Sequence, residues 1–132
     1  MRTIVVCCIS AALALTAGAT NETIRMPATP SLSPDGSQLA FEWRGDIWIA
    51  ASTGGVARPL TSHPAAESRP AFSPDGRELA FLSERDDAWQ VYVAPAAGGL
   101  PERLTSHTEG YLSVRWFPDG RSVLVHADQD GR

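Results

Sequence analysis

One four-residue motif returns three times in this chain, and the spacing of its copies leaves few folds open. Ser33-Pro34-Asp35-Gly36 recurs as Ser73-Pro74-Asp75-Gly76 and, with one change, as Phe117-Pro118-Asp119-Gly120. Other signals keep step: Gly54-Gly55 with Gly98-Gly99, Leu60-Thr61-Ser62-His63 with Leu104-Thr105-Ser106-His107, and Asp46-Ile47-Trp48-Ile49 with Gln90-Val91-Tyr92-Val93. The offset is 40 residues between the first two turns (34 to 74) and 44 between the next two (74 to 118). Self-similarity at this period marks propellers and solenoid arrays. The 132 residues run out inside the third unit.

Each unit reads as short strands joined by turns. Proline presets φ for the second turn position, Asp accepts the next, and Gly takes the left-handed position that follows, so Pro-Asp-Gly closes a tight hairpin. The turn positions are Pro34, Asp35, Gly36, Pro74, Asp75, Gly76, Pro118, Asp119 and Gly120. A serine in front can hydrogen-bond the turn backbone. Phe117 cannot, so the third turn is expected to rely on Pro-Asp-Gly alone. In the second unit, strands are expected over 69–72, 78–83, 90–94 and 102–105. Runs such as Leu79-Ala80-Phe81-Leu82 and Val91-Tyr92-Val93-Ala94 are nearly continuous in apolar residues, as in strands covered on both faces. Phe41, Trp43, Trp48, Phe72, Phe81 and Tyr92 are read as packing between units. Pro and Gly interrupt every window long enough for a helix. The four-residue difference in period lies between Ser83 and Trp89, a loop expected to project Glu84, Arg85, Asp86 and Asp87 into solvent.

The first residues read differently. Arg2, the apolar run from Ile4 to Leu15 and the small residues Ala17-Gly18-Ala19 form the pattern of a secretory signal peptide, with cleavage after Ala19. Cys7 and Cys8 are ordinary residues of that apolar run, so the mature chain has no thiol chemistry and no disulfide. The net charge is −4, every basic residue is Arg, and the signs are interspersed. That composition argues against a nucleic-acid partner, and no apolar segment of spanning length follows the leader.

The reading is therefore an all-β chain: a signal peptide over 1–19, then over 20–132 a partial β-propeller of about two and a half four-stranded antiparallel blades. The units fall at about 27–66, 67–110 and 111–132. A ring needs four to eight blades, so a short chain that is complete in itself would have to close its ring from several copies.

Each candidate site residue has a plain structural role open to it. His63 and His107 share one repeat position and read as loop hydrogen-bonders, and His126 reads as a strand residue. Asp46 reads as a cap of its hairpin, with a side chain directed at the propeller axis as the alternative. Asp128-Gln129-Asp130-Gly131 begins like a calcium loop without its closing Glu and reads as an acidic turn. There is no Gly-x-Ser-x-Gly elbow, and no catalytic, cofactor or metal residues are assigned. Links between blades line one face of a propeller, and loops on rigid scaffolds carry function. Glu67, Arg69, Glu109, Tyr111 and Arg115, in and beside the links 63–69 and 107–113, are the candidate binding residues.

The string Ser-Pro-Asp-Gly-x-x-Leu-Ala-Phe, then Ile/Val-Trp/Tyr-Ile/Val, Gly-Gly and Leu-Thr, resembles the β-propeller repeat of TolB and of tricorn-type proteases. Phe41-Glu42-Trp43-Arg44-Gly45-Asp46-Ile47-Trp48, directly after a signal peptide, is similar to the opening of secreted bacterial tricorn-like proteases. The resemblance implies a propeller that admits peptide ahead of a separate serine-peptidase region, with that catalytic domain or a peptide ligand as partner and a periplasmic or secreted location. The same repeat fronts TolB-like periplasmic protein-binding scaffolds, some secreted amidohydrolases and prolyl-oligopeptidase-like enzymes.

Overall fold

The computed structural model describes residues 13–15, 22–24 and 28–127, and every regular element among them is a strand. Strands β1 (Leu13–Leu15) and β2 (Glu22–Ile24) come first. β3 (Ala28–Leu32), β4 (Gln38–Trp43), β5 (Asp46–Ala51) and β6 (Val56–Pro59) form the first blade. β7 (Glu67–Phe72), β8 (Glu78–Ser83), β9 (Gln90–Pro95) and β10 (Glu102–Arg103) form the second. β11 (Tyr111–Trp116) and β12 (Val123–Ala127) begin the third. Within each blade, neighbours in sequence are neighbours in the sheet and run antiparallel. β1 runs parallel to β6 at the outer edge of the first sheet, with β2 beyond it. This places three residues of the expected leader on a strand. The rest of residues 1–19, with Cys7 and Cys8, lies outside the described residues, as do the cleavage position and Asp128-Gln129-Asp130-Gly131.

The first strands of the blades converge. The Thr29 hydroxyl of β3 accepts the Arg69 N–H of β7 at 3.2 Å, and Ser31 Oγ accepts the Phe72 N–H at 3.3 Å. The Trp116 indole N–H of β11 reaches the Ala71 carbonyl of β7 at 2.9 Å. β3, β7 and β11 thus stand together at the inner side of the sheets.

The core lies between the sheets. Ala40, Ile47, Ile49 and Leu60 of the first blade meet Phe72, Leu79, Phe81, Tyr92 and Ala94 of the second. Ala80, Leu82 and Val91 on the far face of the second blade meet Val114, Trp116, Val123 and Val125 of the third. Alternation along β4 and β5 divides the aromatics in a way the expectation did not. Phe41 and Trp48 pack with Leu39, Ala50, Ala57 and Trp43 on the face turned away from the second blade, while Phe72, Phe81 and Tyr92 pack between blades as expected.

Strand limits match expectation in β8, run one residue further in β9, to Pro95, and differ more in two other strands. β7 begins two residues earlier, at Glu67. β10 ends at Arg103 because a side chain replaces the ladder: Leu104 N–H still reaches the Val91 carbonyl at 2.8 Å, but the Val91 N–H is taken by the Thr105 hydroxyl at 2.9 Å. The first blade repeats this with Leu60 N–H to Ile47 O and Ile47 N–H to Thr61 Oγ1. Leu-Thr is therefore a strand terminator.

Candidate functional site

Because the strands of a blade alternate in direction, its loops divide between two ends. The Pro-Asp-Gly and Gly-Gly turns occupy one end. The hairpins after β4 and β8 and the links into the next blade occupy the other, which we call the link face.

The turn end is built on carboxylates. Asp35 Oδ1 accepts the Ser33 hydroxyl at 2.7 Å, the Ser37 N–H at 2.9 Å and the Ser37 hydroxyl at 2.8 Å, and Ser33 Oγ accepts the Gln38 N–H. These donors, Ser33 foremost, bring the Asp35 carboxyl down to about 2. Ser73, Asp75, Arg77 and Glu78 repeat the arrangement, and the Ser73 hydroxyl likewise lowers Asp75. In the third turn Phe117 has no hydroxyl to take the Ser122 N–H. Asp119 Oδ1 accepts it instead at 3.3 Å, beside the Arg121 N–H at 2.9 Å, as expected of a turn that relies on Pro-Asp-Gly alone.

The link face carries a second repeated device. The His63 N–H is accepted by Asp46 Oδ1 at 3.1 Å, and the His107 N–H by Gln90 Oε1 at 3.1 Å. Each imidazole Nδ1 then accepts the amide two residues on, from Ala65 and from Glu109. Both histidines are loop hydrogen-bonders. Asp46 holds the link and not its own hairpin: that hairpin is closed by Arg44 and Gly45, both at positive φ, the conformation a two-residue hairpin favours. Gln90 does the same work in the second blade, adding its amide to the His107 carbonyl. His126 stands exposed on β12.

Of the candidate binding residues, only Glu109 lies on a link, exposed. Arg69 is exposed on β7, Tyr111 is half-buried on β11, and Arg115 is exposed on β11, its guanidinium donating to the Val114 carbonyl. Glu67 is a correction: it opens β7 and is fully buried, its carboxylate paired with Arg85. In loop 83–89 the correction is confined to Arg85, since Glu84, Asp86 and Asp87 are exposed as expected. Arg85 folds inward to Glu67, donates to Ser83 Oγ at 2.9 Å and lies 4.5 Å over the Tyr92 ring. Asp86 accepts the Tyr92 hydroxyl and pairs with Arg103 at 3.3 Å. The insertion thus ties β7, β9 and β10 together. Burial, with the Asp86 hydrogen bond second, pushes the Tyr92 phenol up to about 12, and the same bond lowers Asp86. Beside this loop and link 106–108 lies a cleft of about 320 Å³, lined by Asp86, Asp87, Gln90, Arg103, His107 and Thr108.

One feature of the inner strands went unread in the sequence. Thr29 and Arg69 have φ of 46° and 54°, and at each the pairing with the next strand slips. Each precedes a proline, Pro30 and Pro70. Proline within a sheet belongs at an edge or a bulge, so Thr-Pro and Arg-Pro, 40 residues apart (29 to 69), were the available signal. In the third blade Val114 stands in that place, and the slip moves to between Tyr111 and Ser113.

Among the described residues no group of His, Cys, Asp and Glu is arranged to hold a metal ion, and no helix is long and apolar enough to cross a membrane. Four-stranded antiparallel blades converging on their first strands define a β-propeller. Residues 24–132 match the family described as the tricorn protease N-terminal beta propeller domain, and the chain belongs to that family. It is 37% identical over 73 residues to Tricorn protease homolog 1 of Streptomyces coelicolor, covering 52% of this chain and 7% of that protein. It is 39% identical over 54 residues to a Protein TolB homolog of Chlorobium luteolum, covering 41% of this chain and 12% of that one. The solved structure of putative TolB from Agrobacterium tumefaciens superposes with a TM-score of 0.69 at 27% identity, over 86% of this chain and 45% of that one. The chain thus spans under half the length of each of these proteins.

Proposed function

We propose that this chain is the non-catalytic N-terminal propeller segment of a secreted tricorn-like serine peptidase, and that it binds or admits peptide ahead of a downstream catalytic domain. The observation that carries this reading is the family match over residues 24–132. Convergent inner strands that leave Arg69 and Arg115 exposed, with Glu109 on the link face, supply groups able to hold peptide carboxylates and amines. The leader pattern in residues 1–19 supports export. A second reading, a TolB-like protein-binding scaffold, draws on the TolB likeness in sequence and structure.

The test is fluorescence anisotropy of labelled peptides against the full chain, with sequencing of the reading frame past codon 132. Peptide binding weakened about tenfold by Arg69→Ala or Arg115→Ala, as loss of a charge-assisted hydrogen bond implies, together with a downstream peptidase region, supports the first reading. No peptide binding and a frame that ends after a closed ring would transfer support to the scaffold.

A further inference from the structure

We propose that residues 84–88 form a strap across the link-face end of the second blade, anchored at Arg85 and releasable at Asp86, so that its outer half opens while the blade stays folded. The first blade turns the same corner with Arg44 and Gly45 alone, between paired Trp43 and Asp46, so the extra residues are not needed to make the turn.

The two ends of the strap are held by interactions of different strength. At the inner end Arg85 pairs with Glu67, whose side chain is 0% exposed, and Arg85 itself is only 16% exposed. The Ser83 hydroxyl and the Tyr92 ring complete its surroundings, and the neighbouring Glu84 N–H is held by the Ala66 carbonyl at 3.0 Å. Releasing Arg85 would leave a buried carboxylate without its charge partner, so this end stays closed. At the outer end Asp86 and Arg103 are 40% and 46% exposed. An exposed pair is weak and is screened by salt, which leaves the Tyr92 hydroxyl as the remaining hold on Asp86. Asp86, Asp87 and Ala88 form one wall of the 320 Å³ cleft, and Gln90, Ser106, His107 and Thr108 come from the blade and its link. Opening the outer half therefore moves one wall of the cleft and leaves the other in place. This inference does not rest on the peptide-binding reading.

The test is ¹⁵N relaxation and amide exchange on the full chain at about 0.01 M and about 1 M salt, where the Debye length is about 30 Å and about 3 Å. In the natural sequence, residues 86–88 are expected to be as ordered as β8 and β9 at low salt. At high salt, with the Arg103 pair screened and the Tyr92 hydroxyl still held by Asp86, their order parameters fall part of the way towards about 0.6. In Asp86→Ala they are low at both salt concentrations, while the Glu84 amide and both strands keep their protection. In Arg85→Met the Glu84 amide exchanges at least tenfold faster. If Asp86→Ala is as ordered as the natural sequence, or if β8 and β9 loosen together with the loop, the proposal is overturned. Should Arg85→Met fail to fold, the Asp86→Ala and salt arms decide the matter.

Discussion

A methyl group built on Gly76 would stand 3.4 Å from Cδ of Pro34, the proline of the preceding blade's turn, and one on Gly120 would stand 3.7 Å from Cδ of Pro74. The two ends of Pro-Asp-Gly meet across neighbouring blades. The motif closes a hairpin within its own blade and sets the spacing to the previous one, which gives two physical reasons for its return at each unit.

The glycines are not equivalent, and Gly110 is expected to be the least replaceable. A Cβ at Gly36 meets nothing within 4 Å, so Gly36→Ala carries only the left-handed penalty of about 1–2 kcal/mol. At Gly110, φ is +76° and a Cβ would lie 3.1 Å from Trp89 N and 3.3 Å from Trp89 O, backbone atoms that cannot rotate away. Overpacking of this kind adds about 1–3 kcal/mol. Urea midpoints of the two variants check the order, and equal losses would refute the steric part.

Thr61→Val removes the acceptor of the Ile47 N–H at a fully buried position. An unsatisfied buried donor costs about 1–3 kcal/mol, and Thr61→Ser is expected to retain most of that stability. Equal destabilisation by Val and Ser would show that the methyl group, and not the hydroxyl, matters there.

Acid should weaken the turn end, which is at full strength at neutral pH. The Asp35 carboxyl is lowered from 3.8 to about 2 in the folded chain, so its contribution is complete above about pH 4 and is lost as pH falls towards 2. Asp75 is lowered in the same direction. Thermal midpoints measured from pH 5 to 2 are expected to fall, and Ser33→Ala, which removes the largest cause of the Asp35 shift, should flatten part of that slope. An unchanged slope in Ser33→Ala would contradict the assignment.

Arg85→Met is expected to cost about 3–5 kcal/mol, because it strands the buried Glu67 carboxylate. The double variant Glu67→Leu with Arg85→Met should recover much of the loss, since an apolar pair can replace a buried ion pair at little cost. Denaturant unfolding of both variants measures this, and a double variant as unstable as the single would rule out charge stranding as the cause.

The period, the hairpin turns, the strand order and the blade class were legible in the chain because they rest on local chemistry. Proline sets φ, glycine admits the left-handed region, and a hydroxyl or carboxylate reaches only a few residues. The roles of Glu67, Arg85 and Asp46 were not legible, because each depends on a partner that folding brings near: Arg85 for Glu67, 18 residues on, and the His63 amide for Asp46, 17 residues on. A charged residue in a turn-rich segment is ordinarily solvated, and only the approach of its counter-charge makes burial tolerable. The side of the blade that Phe41 and Phe81 share, turned away from the following blade, had the same origin. An apolar run covered on both faces carries no alternation to read, so the packing of one sheet upon the next assigned the faces.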